Sequence, residues 1–462
     1  MKVKNNEHVD TESSHNESEL LVTILVVLVS AAALVVGFEV GTTDGLVSSL
    51  SFTQRYGQIV GVTLGIVVSA FNLGEVCGCI SVLFAFRLRS DTLIKVGYGV
   101  YAAGVLFQIL TSILAYDFLW CLVAYRVTLG ISGGIFILIC PIYITQITID
   151  PTRRGQYLSL IQLWLCGGIM LGSGLSIAID PFILQYCGNC GICLLGSVSC
   201  WLLTPIDPIS SSSLRYLAEI KQEEQKAIIE PQPLMNPQKE LRPQEDTSEQ
   251  DSNMPLTGNG SPFRWRKLGF CVTLMVFQQL TGINFFFYYS KRIVGDQPWP
   301  LVLASVNLAG SIASFKMVKW FDRLFLLQMG SGTLTALLCS YWACESSIVV
   351  YAIVVVFSVS WGPVSGIVIN ELANANKQVL TISISANFAF SFLVVNISPV
   401  LMSIMGLNLL WCFVGAMIVS LAFLMVVPET KHLSNTEIEE LFSNGGPSSC
   451  APAFEEKHSN VV

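Results

Sequence analysis

Apolar residues in this chain come in long, nearly unbroken runs, not in the one-sided stripe of a soluble helix or the alternation of a half-buried strand. Twelve such runs can be counted, near 20–43, 59–86, 93–116, 118–147, 157–179, 182–203, 266–290, 300–318, 324–343, 348–372, 380–405 and 407–427. Most match the roughly 20 residues that a helix needs to cross a hydrocarbon core of about 30 Å. Twelve transmembrane helices are therefore expected, with the runs at 182–203 and 300–318 the weakest. Polar stretches punctuate them. Residues 1–19 are polar and mixed in charge, without the basic start of a secretory signal, so the first run is expected to be a retained helix.

The longest interruption divides the chain. Residues 204–265 are rich in Pro, Gln, Glu and Ser, and Glu230-Pro231-Gln232-Pro233 disfavours a continuous helix there. Leu214 to Ile229 suits one or two short surface helices. The expected organisation is a tail at 1–19, a six-helix bundle at 20–203, a partly disordered linker at 204–265, a second six-helix bundle at 266–427 and a tail at 428–462. Composition agrees: 12% of residues are charged and 52% hydrophobic, against about 25% charged in soluble domains. Most of the 25 Lys and Arg fall on one side of the membrane if the N-terminus lies inside, with Arg55, Lys291 and Arg292 outside and Arg126 within a span. By the positive-inside rule both termini, and the linker, are expected in the cytoplasm. The plasma membrane is the default location, and no nucleic-acid partner is indicated.

One segment breaks the apolar pattern. Between Leu268 and Ser290 lies Phe277-Gln278-Gln279-Leu280-Thr281-Gly282-Ile283-Asn284, with three carboxamides at membrane depth. Each costs free energy in hydrocarbon unless it finds a hydrogen-bond partner. Such groups are retained most readily where they face a wet cavity or a polar solute. Carboxamides both donate and accept, which suits a neutral polyol or sugar better than an ion. The competing explanation is that they fasten one helix to its neighbours. On an unbroken helix Gln279 and Asn284 would point about 140° apart. A break at Gly282, which leaves helical dihedrals cheaply, would bring them together.

Other chemistry is sparse. The 14 cysteines sit mostly in apolar runs, where Cys behaves as a small hydrophobe. Cys187, Cys190 and Cys193 have a spacing that also admits a disulfide or a metal. The four His residues offer no intramembrane ligand set. There is no Walker A, Ser-His-Asp or zinc motif, so neither ATP drive, enzymatic catalysis nor a cofactor is expected.

Gln278-Gln279-Leu280-Thr281-Gly282-Ile283-Asn284 with Tyr288-Tyr289-Ser290 resembles the seventh-helix signature of the sugar porters, the hexose-transporter branch of the major facilitator superfamily. Arg126 to Gly130, Pro141-Ile142-Tyr143 and Arg153-Arg154-Gly155 resemble its fourth helix and the following loop. Gln162 and Gly168 match its fifth helix, Ser360-Trp361-Gly362-Pro363-Val364 with Glu371 its tenth, and Pro428-Glu429-Thr430-Lys431 the end of its twelfth. The matches run from residue 37 to 442. The resemblance implies an all-α membrane protein with the major facilitator fold, twelve helices in two six-helix bundles rocking about a midplane site. It implies sugar-hydroxyl contacts at Gln162, Gln278, Gln279, Asn284 and Asn307. It also implies an amide–aromatic pair at Asn387-Phe388, with Phe where Trp is usual. Gly366 takes the place of a wall-forming Trp, which would enlarge the cavity or weaken affinity. Gln185 is placed outside the site.

The departures are in the cytoplasmic charges. The Asp-Arg and Gly-Arg-Arg motifs are broken around Phe86 to Asp91 and around Phe321-Asp322-Arg323-Leu324. Gln146 replaces a Glu, and Asn374 to Gln378 replace the usual Pro and Arg. Arg154 with Glu371, plus Arg215 and Glu429, is the expected remnant of the family's cytoplasmic gate, and the loss of pairs would favour the inward-open state. Glu39 occupies a first-helix position that is Asp in proton-coupled members, and Arg126 is its expected partner. Two modes follow, proton symport through Glu39 and Arg126, and facilitated diffusion with a static pair; the second is favoured. A hexose such as glucose is the expected solute. A non-transporting sugar sensor and a carrier of another polyol-like solute are the alternatives.

Overall fold

The computed structural model describes residues 20–203 and 262–433 except 21, 86, 114–117, 149–150, 296–297, 375 and 432, together with 434–442 at 437, 438 and 442 only. The expected N-terminal tail, most of the C-terminal tail, almost all of the linker, and Arg215 lie outside the described residues.

Described residues form helices and no strand. The first span, Val22–Val47, ends in α1 (Ala33–Val47). There follow α2 (Gly61–Phe84), α3 (Ser90–Ile113), α4 (Leu119–Ile147), α5 (Pro151–Ala178) and α6 (Pro181–Leu203). The second half consists of α7a (Pro262–Leu280) and α7b (Ile283–Tyr288), α8 (Trp299–Trp320), α9 (Arg323–Cys344), α10a (Ser347–Val359) and α10b (Trp361–Ala373), α11 (Lys377–Met405) and α12 (Leu410–Leu424). Ten stretches among the described residues are long and apolar enough to cross a bilayer. One of them, Lys377–Leu424, contains both α11 and α12, and α6 supplies the twelfth crossing. The two runs of weakest apolar character both form helices, α6 and α8.

The packing repeats. In the first bundle α1 lies on α5 and α2 on α4; in the second α7a lies on α11 and α8 on α10a. The bundles meet through α2 against α11 and α5 against α8, contacts that exchange when one half is rotated onto the other. Such internal symmetry, with the site at the interface of the halves, is the transporter plan. Close approach depends on small residues. A Cβ added at Gly130 of α4 would lie 2.1 Å from the Phe71 carbonyl oxygen of α2, so only glycine lets these backbones touch.

Polarity is inverted relative to a soluble protein. Phe84, Ile348, Ile404 and Met425 are exposed, whereas Asn72, Glu75, Gln279, Asn307 and Asn387 are buried. Lipid covers the first group; the protein must satisfy the second. Exposed Trp120, Trp299, Trp320 and Trp411 sit near helix ends, where amphipathic rings favour the membrane interface. Cys187, Cys190 and Cys193 lie on one helix, α6.

Two spans are broken at depth. Gly282 has φ +80°, in the left-handed region, and separates α7a from α7b as expected. The Phe413 ring fills the place of a Cβ there, 2.6 Å away. The second break is at Ser360, between α10a and α10b. Pro363 has no N–H to offer the Val359 carbonyl four residues earlier. Ser314 of α8 supplies the missing donor, its hydroxyl 3.2 Å from Val359 O.

Two glycines of the broken helices should respond oppositely to a methyl group. Gly282→Ala combines a left-handed residue with a ring clash and is expected to cost at least about 1–2 kcal/mol. Gly366 of α10b has open space around its would-be Cβ. Gly366→Ala is expected to gain up to about 1 kcal/mol from helix propensity. Thermal unfolding of the purified variants measures both. Equal melting temperatures would refute the role given to Gly282.

Candidate functional site

The broken helices α7 and α10 pack together within the second bundle and, with the first bundle opposite, line a central cavity of about 200 Å³. A single ordered water needs only about 10–15 Å³. All seven residues expected to contact solute line it: Gln162, Gln278, Gln279, Asn284, Asn307, Asn387 and Phe388. Gln185 does not; it is buried and accepts a hydrogen bond from the Tyr125 hydroxyl at 2.8 Å.

Asn387 is the hub of the polar wall. Its Nδ2 donates to Gln278 Oε1 at 2.7 Å and to the Met275 carbonyl at 2.9 Å, while its Oδ1 accepts from Gln279 Nε2 at 2.9 Å. Across the Gly282 break, Asn284 Nδ2 donates to Gln279 Oε1 at 2.6 Å and to the Ser391 hydroxyl at 2.7 Å. Gln278 Nε2 donates to the carbonyls of Trp361 and Gly362, at 3.2 and 3.1 Å. The ladder thus does both jobs weighed from the sequence: it fastens α7 to α10 and α11, and it presents amides to the cavity. Rotamers held in this way are preorganised for a hydroxylated solute. On the facing bundle Gln162 Nε2 touches the Cys166 thiol at 3.3 Å, and Cys166 meets the Ser311 hydroxyl at 3.0 Å.

Several wall residues were missed in the sequence: Asn72 and Glu75 on α2, Tyr288 on α7b, Asn370 on α10b and Ser391 on α11. Tyr288 donates to Asn72 Oδ1 at 3.0 Å, and the Asn72 amide donates to Ser391. The signal that exposed Gln278 was present at Asn72 and Glu75 too, as polar residues three apart in an apolar run.

Glu39 and Arg126 form the expected pair, Arg126 Nη1 lying 3.8 Å from Glu39 Oε2, and both are fully buried. Arg126 Nη2 also donates to the Thr43 hydroxyl at 2.7 Å, and that hydroxyl donates to the Glu39 carbonyl. Neither residue lines the cavity.

Cross-bundle contacts occur on both sides of the cavity. Where α1 finishes, Asp44 accepts from Ser290 Oγ at 2.5 Å and from the Lys291 amide at 3.1 Å. At the opposite end, Lys377 Nζ reaches the Leu88 carbonyl at 3.1 Å. There the charges pair differently from the expectation of Arg154 with Glu371. Arg323 is the ion-pair partner of Glu371, at 3.3 Å, and Arg154 acts on that carboxylate at longer range. Glu429 forms no arginine pair among the described residues. It accepts from the backbone amides of Arg323, Leu324, Thr430 and Lys431 at 2.9–3.1 Å. A carboxylate there caps the N-terminus of α9. Thr430 donates to Glu371 at 2.5 Å and Lys431 pairs with Asp322 at 3.5 Å. The sequence showed an ambiguous spacing around Arg323 with the paired Arg gone; the carboxylate that meets Arg323 comes from α10b, and the chain after α12 folds back to cap α9 and to hold Glu371.

The chain matches the sugar (and other) transporter family over residues 4–442. It is 24% identical to the hexose transporter HXT14 of Saccharomyces cerevisiae, covering 96% of this chain and 92% of that protein. It is 25% identical to a low-affinity glucose transporter of Kluyveromyces lactis, covering 92% of this chain and 83% of that one. The fold is shared with the proton:xylose symporter XylE bound to 6-bromo-6-deoxy-D-glucose, with a TM-score of 0.70 at 18% identity over 91% of this chain and 99% of that one. An inward-open XylE structure from E. coli gives 0.66, also at 18% identity, over 91% of this chain and 99% of that one. With the family matched along nearly its whole length and the two-bundle fold in place, the chain belongs to the sugar porters, the sugar (and other) transporter family of the major facilitators.

Proposed function

We propose that the protein carries a hexose such as glucose across the plasma membrane by alternating access and facilitated diffusion, with both termini in the cytoplasm. The observation that carries this reading is the bonded ladder of Gln278, Gln279, Asn284 and Asn387 on the cavity wall. Its amides meet hydroxyl donors and acceptors alike, and Phe388 beside them offers an apolar face to the C–H side of a pyranose. Gln162 and Asn307 hold the solute from the other side of the cavity. The bundles rock about this fixed site, and Arg323–Glu371, held by Thr430, is the cytoplasmic latch, with Arg154 and Glu429 beside it. The protein is a carrier and not an enzyme.

Facilitated diffusion is preferred over proton symport because the Glu39–Arg126 pair is buried away from the cavity and tied further through Thr43. A static pair of this kind fixes α1 against α4, and removing one partner would strand a buried charge.

Two measurements test the reading. Radiolabelled glucose uptake into transport-deficient cells is expected to saturate, and Gln279→Ala to weaken affinity by about tenfold or more, the worth of one lost hydrogen-bond site. Gln185→Ala, outside the cavity, is expected to lower the amount of folded protein without such a change in affinity. Equal effects on affinity at the two positions would remove Gln279 from the site, and binding without uptake would turn the reading towards a sensor. For the coupling mode, reconstituted vesicles are loaded with and without a pH gradient. Native protein and Glu39→Gln are both expected only to equilibrate the sugar. Gradient-driven accumulation by native protein, lost in Glu39→Gln, would establish symport instead.

A further inference from the structure

Three atoms of the cavity wall are buried without a hydrogen-bond partner among the described residues: Glu75 Oε1 on α2, Asn307 Oδ1 on α8 and Asn370 Oδ1 on α10b. All three are acceptors. Asn370 Nδ2 gives one of its two N–H groups to the Gly366 carbonyl at 2.8 Å. Unpartnered buried acceptors on the wall are complementary to a solute that brings donors.

Glu75 differs from the two amides in kind. It is the one acidic residue on the wall, it is 2% exposed, and no Lys, Arg or His lines the cavity to balance it. Its neighbours with ionisable or polar heads are otherwise engaged. Asn72, one turn earlier, bonds Tyr288 and Ser391. Cys79, one turn later, donates to the Gly134 carbonyl at 3.3 Å. Arg126 on α4 is held by Glu39 and Thr43. A carboxylate without a cation at such depth carries an effective desolvation cost of several kcal/mol. Intramembrane carboxyls are retained where they meet a partner along a solute path. Among the described residues nothing on the wall is that partner, so positive charge has to come from what enters the cavity, a proton or a cationic solute.

We propose that Glu75 is a substrate-binding residue that selects sugars bearing an ammonium group, of the 2-amino-2-deoxyhexose class, alongside neutral hexoses. An ammonium offers three N–H donors and no acceptor, which suits these unpartnered acceptors, and its charge completes the pair that Glu75 lacks. The hydroxyls of the same sugar are left for the amide ladder on α7 and α11. The proposal rests on the hexose-transport reading of the cavity and adds to it a preference set by charge.

The test is competition against labelled glucose uptake by unlabelled glucose, glucosamine and N-acetylglucosamine, at slightly acidic pH so that the free amine is protonated. N-acetylglucosamine keeps the nitrogen and removes its charge. In native protein glucosamine is expected to inhibit about tenfold more strongly than either of the others, the yield of one modest buried charge pair. In Glu75→Gln the ratio of glucosamine to glucose potency is expected to fall by about the same factor, whatever happens to glucose itself. Glucosamine no stronger than N-acetylglucosamine in native protein overturns the proposal without need of the variant, as does an unchanged ratio in Glu75→Gln. If glucose is not taken up at all, the transport reading fails instead. Thermal stabilisation of purified protein then decides on Glu75, which requires a larger shift with glucosamine than with glucose and its loss in Glu75→Gln.

Discussion

A polar group in the middle of a bilayer has to find its partner inside the protein, because lipid offers none, and in this molecule that requirement converges on Asn387. Its amide nitrogen holds Gln278 and the Met275 carbonyl, and its oxygen takes Gln279, which in turn holds Asn284. Removing Asn387 would leave two glutamines and a backbone carbonyl searching for partners at once. Networks of this kind are worth most when every member is satisfied. The same groups that fasten α7 to α11 also line the cavity, so packing and the chemistry of the cavity cannot be varied independently here.

That network exists only because α7 is interrupted. Gly282 takes a left-handed conformation, the helix restarts at Ile283, and Asn284 turns back onto Gln279 at 2.6 Å. The facing interruption at Ser360 exposes the Trp361 and Gly362 carbonyls to Gln278, while Ser314 repairs the bond that Pro363 cannot make. At Ser360 the freed Val359 carbonyl is met by a side chain of α8, and at Gly282 the Ile283 amide turns to the Thr281 hydroxyl at 3.4 Å. The cavity lies at the joints, and motion of one bundle against the other would act on the same residues.

Charge is managed in three separate places. Glu39 with Arg126 is sealed within the first bundle, and Arg323 with Glu371 and Thr430 closes the end where the tail after α12 returns. Glu75 stands apart, alone on the cavity wall. The first two are balanced by the protein, which makes them structural elements whose breaking would strand a charge. Only the third depends on what enters the cavity.

The apolar runs alone determined the number of crossings, because a span needs about 20 uninterrupted apolar residues whatever packs against it. The carboxamides within one such run determined where a polar solute would be met, since their cost in lipid demands a partner. Gly282 was readable for a related reason: the angular offset of Gln279 and Asn284 required a break, and only glycine makes one cheaply. Partners were a different matter. Which arginine serves Glu371 depends on how the start of α9 packs against the end of α10b, a contact between groups 48 positions apart in the chain. Glu429 looked like a gate charge and proved to be a helix cap for the same reason. Glu75 is one acid in an apolar run, and only packing decides whether it meets a cation, a neighbour or a cavity. Hydrophobic length and the cost of unpaired polarity are local properties written in composition, whereas pairing between distant groups is fixed only once the bundles come together.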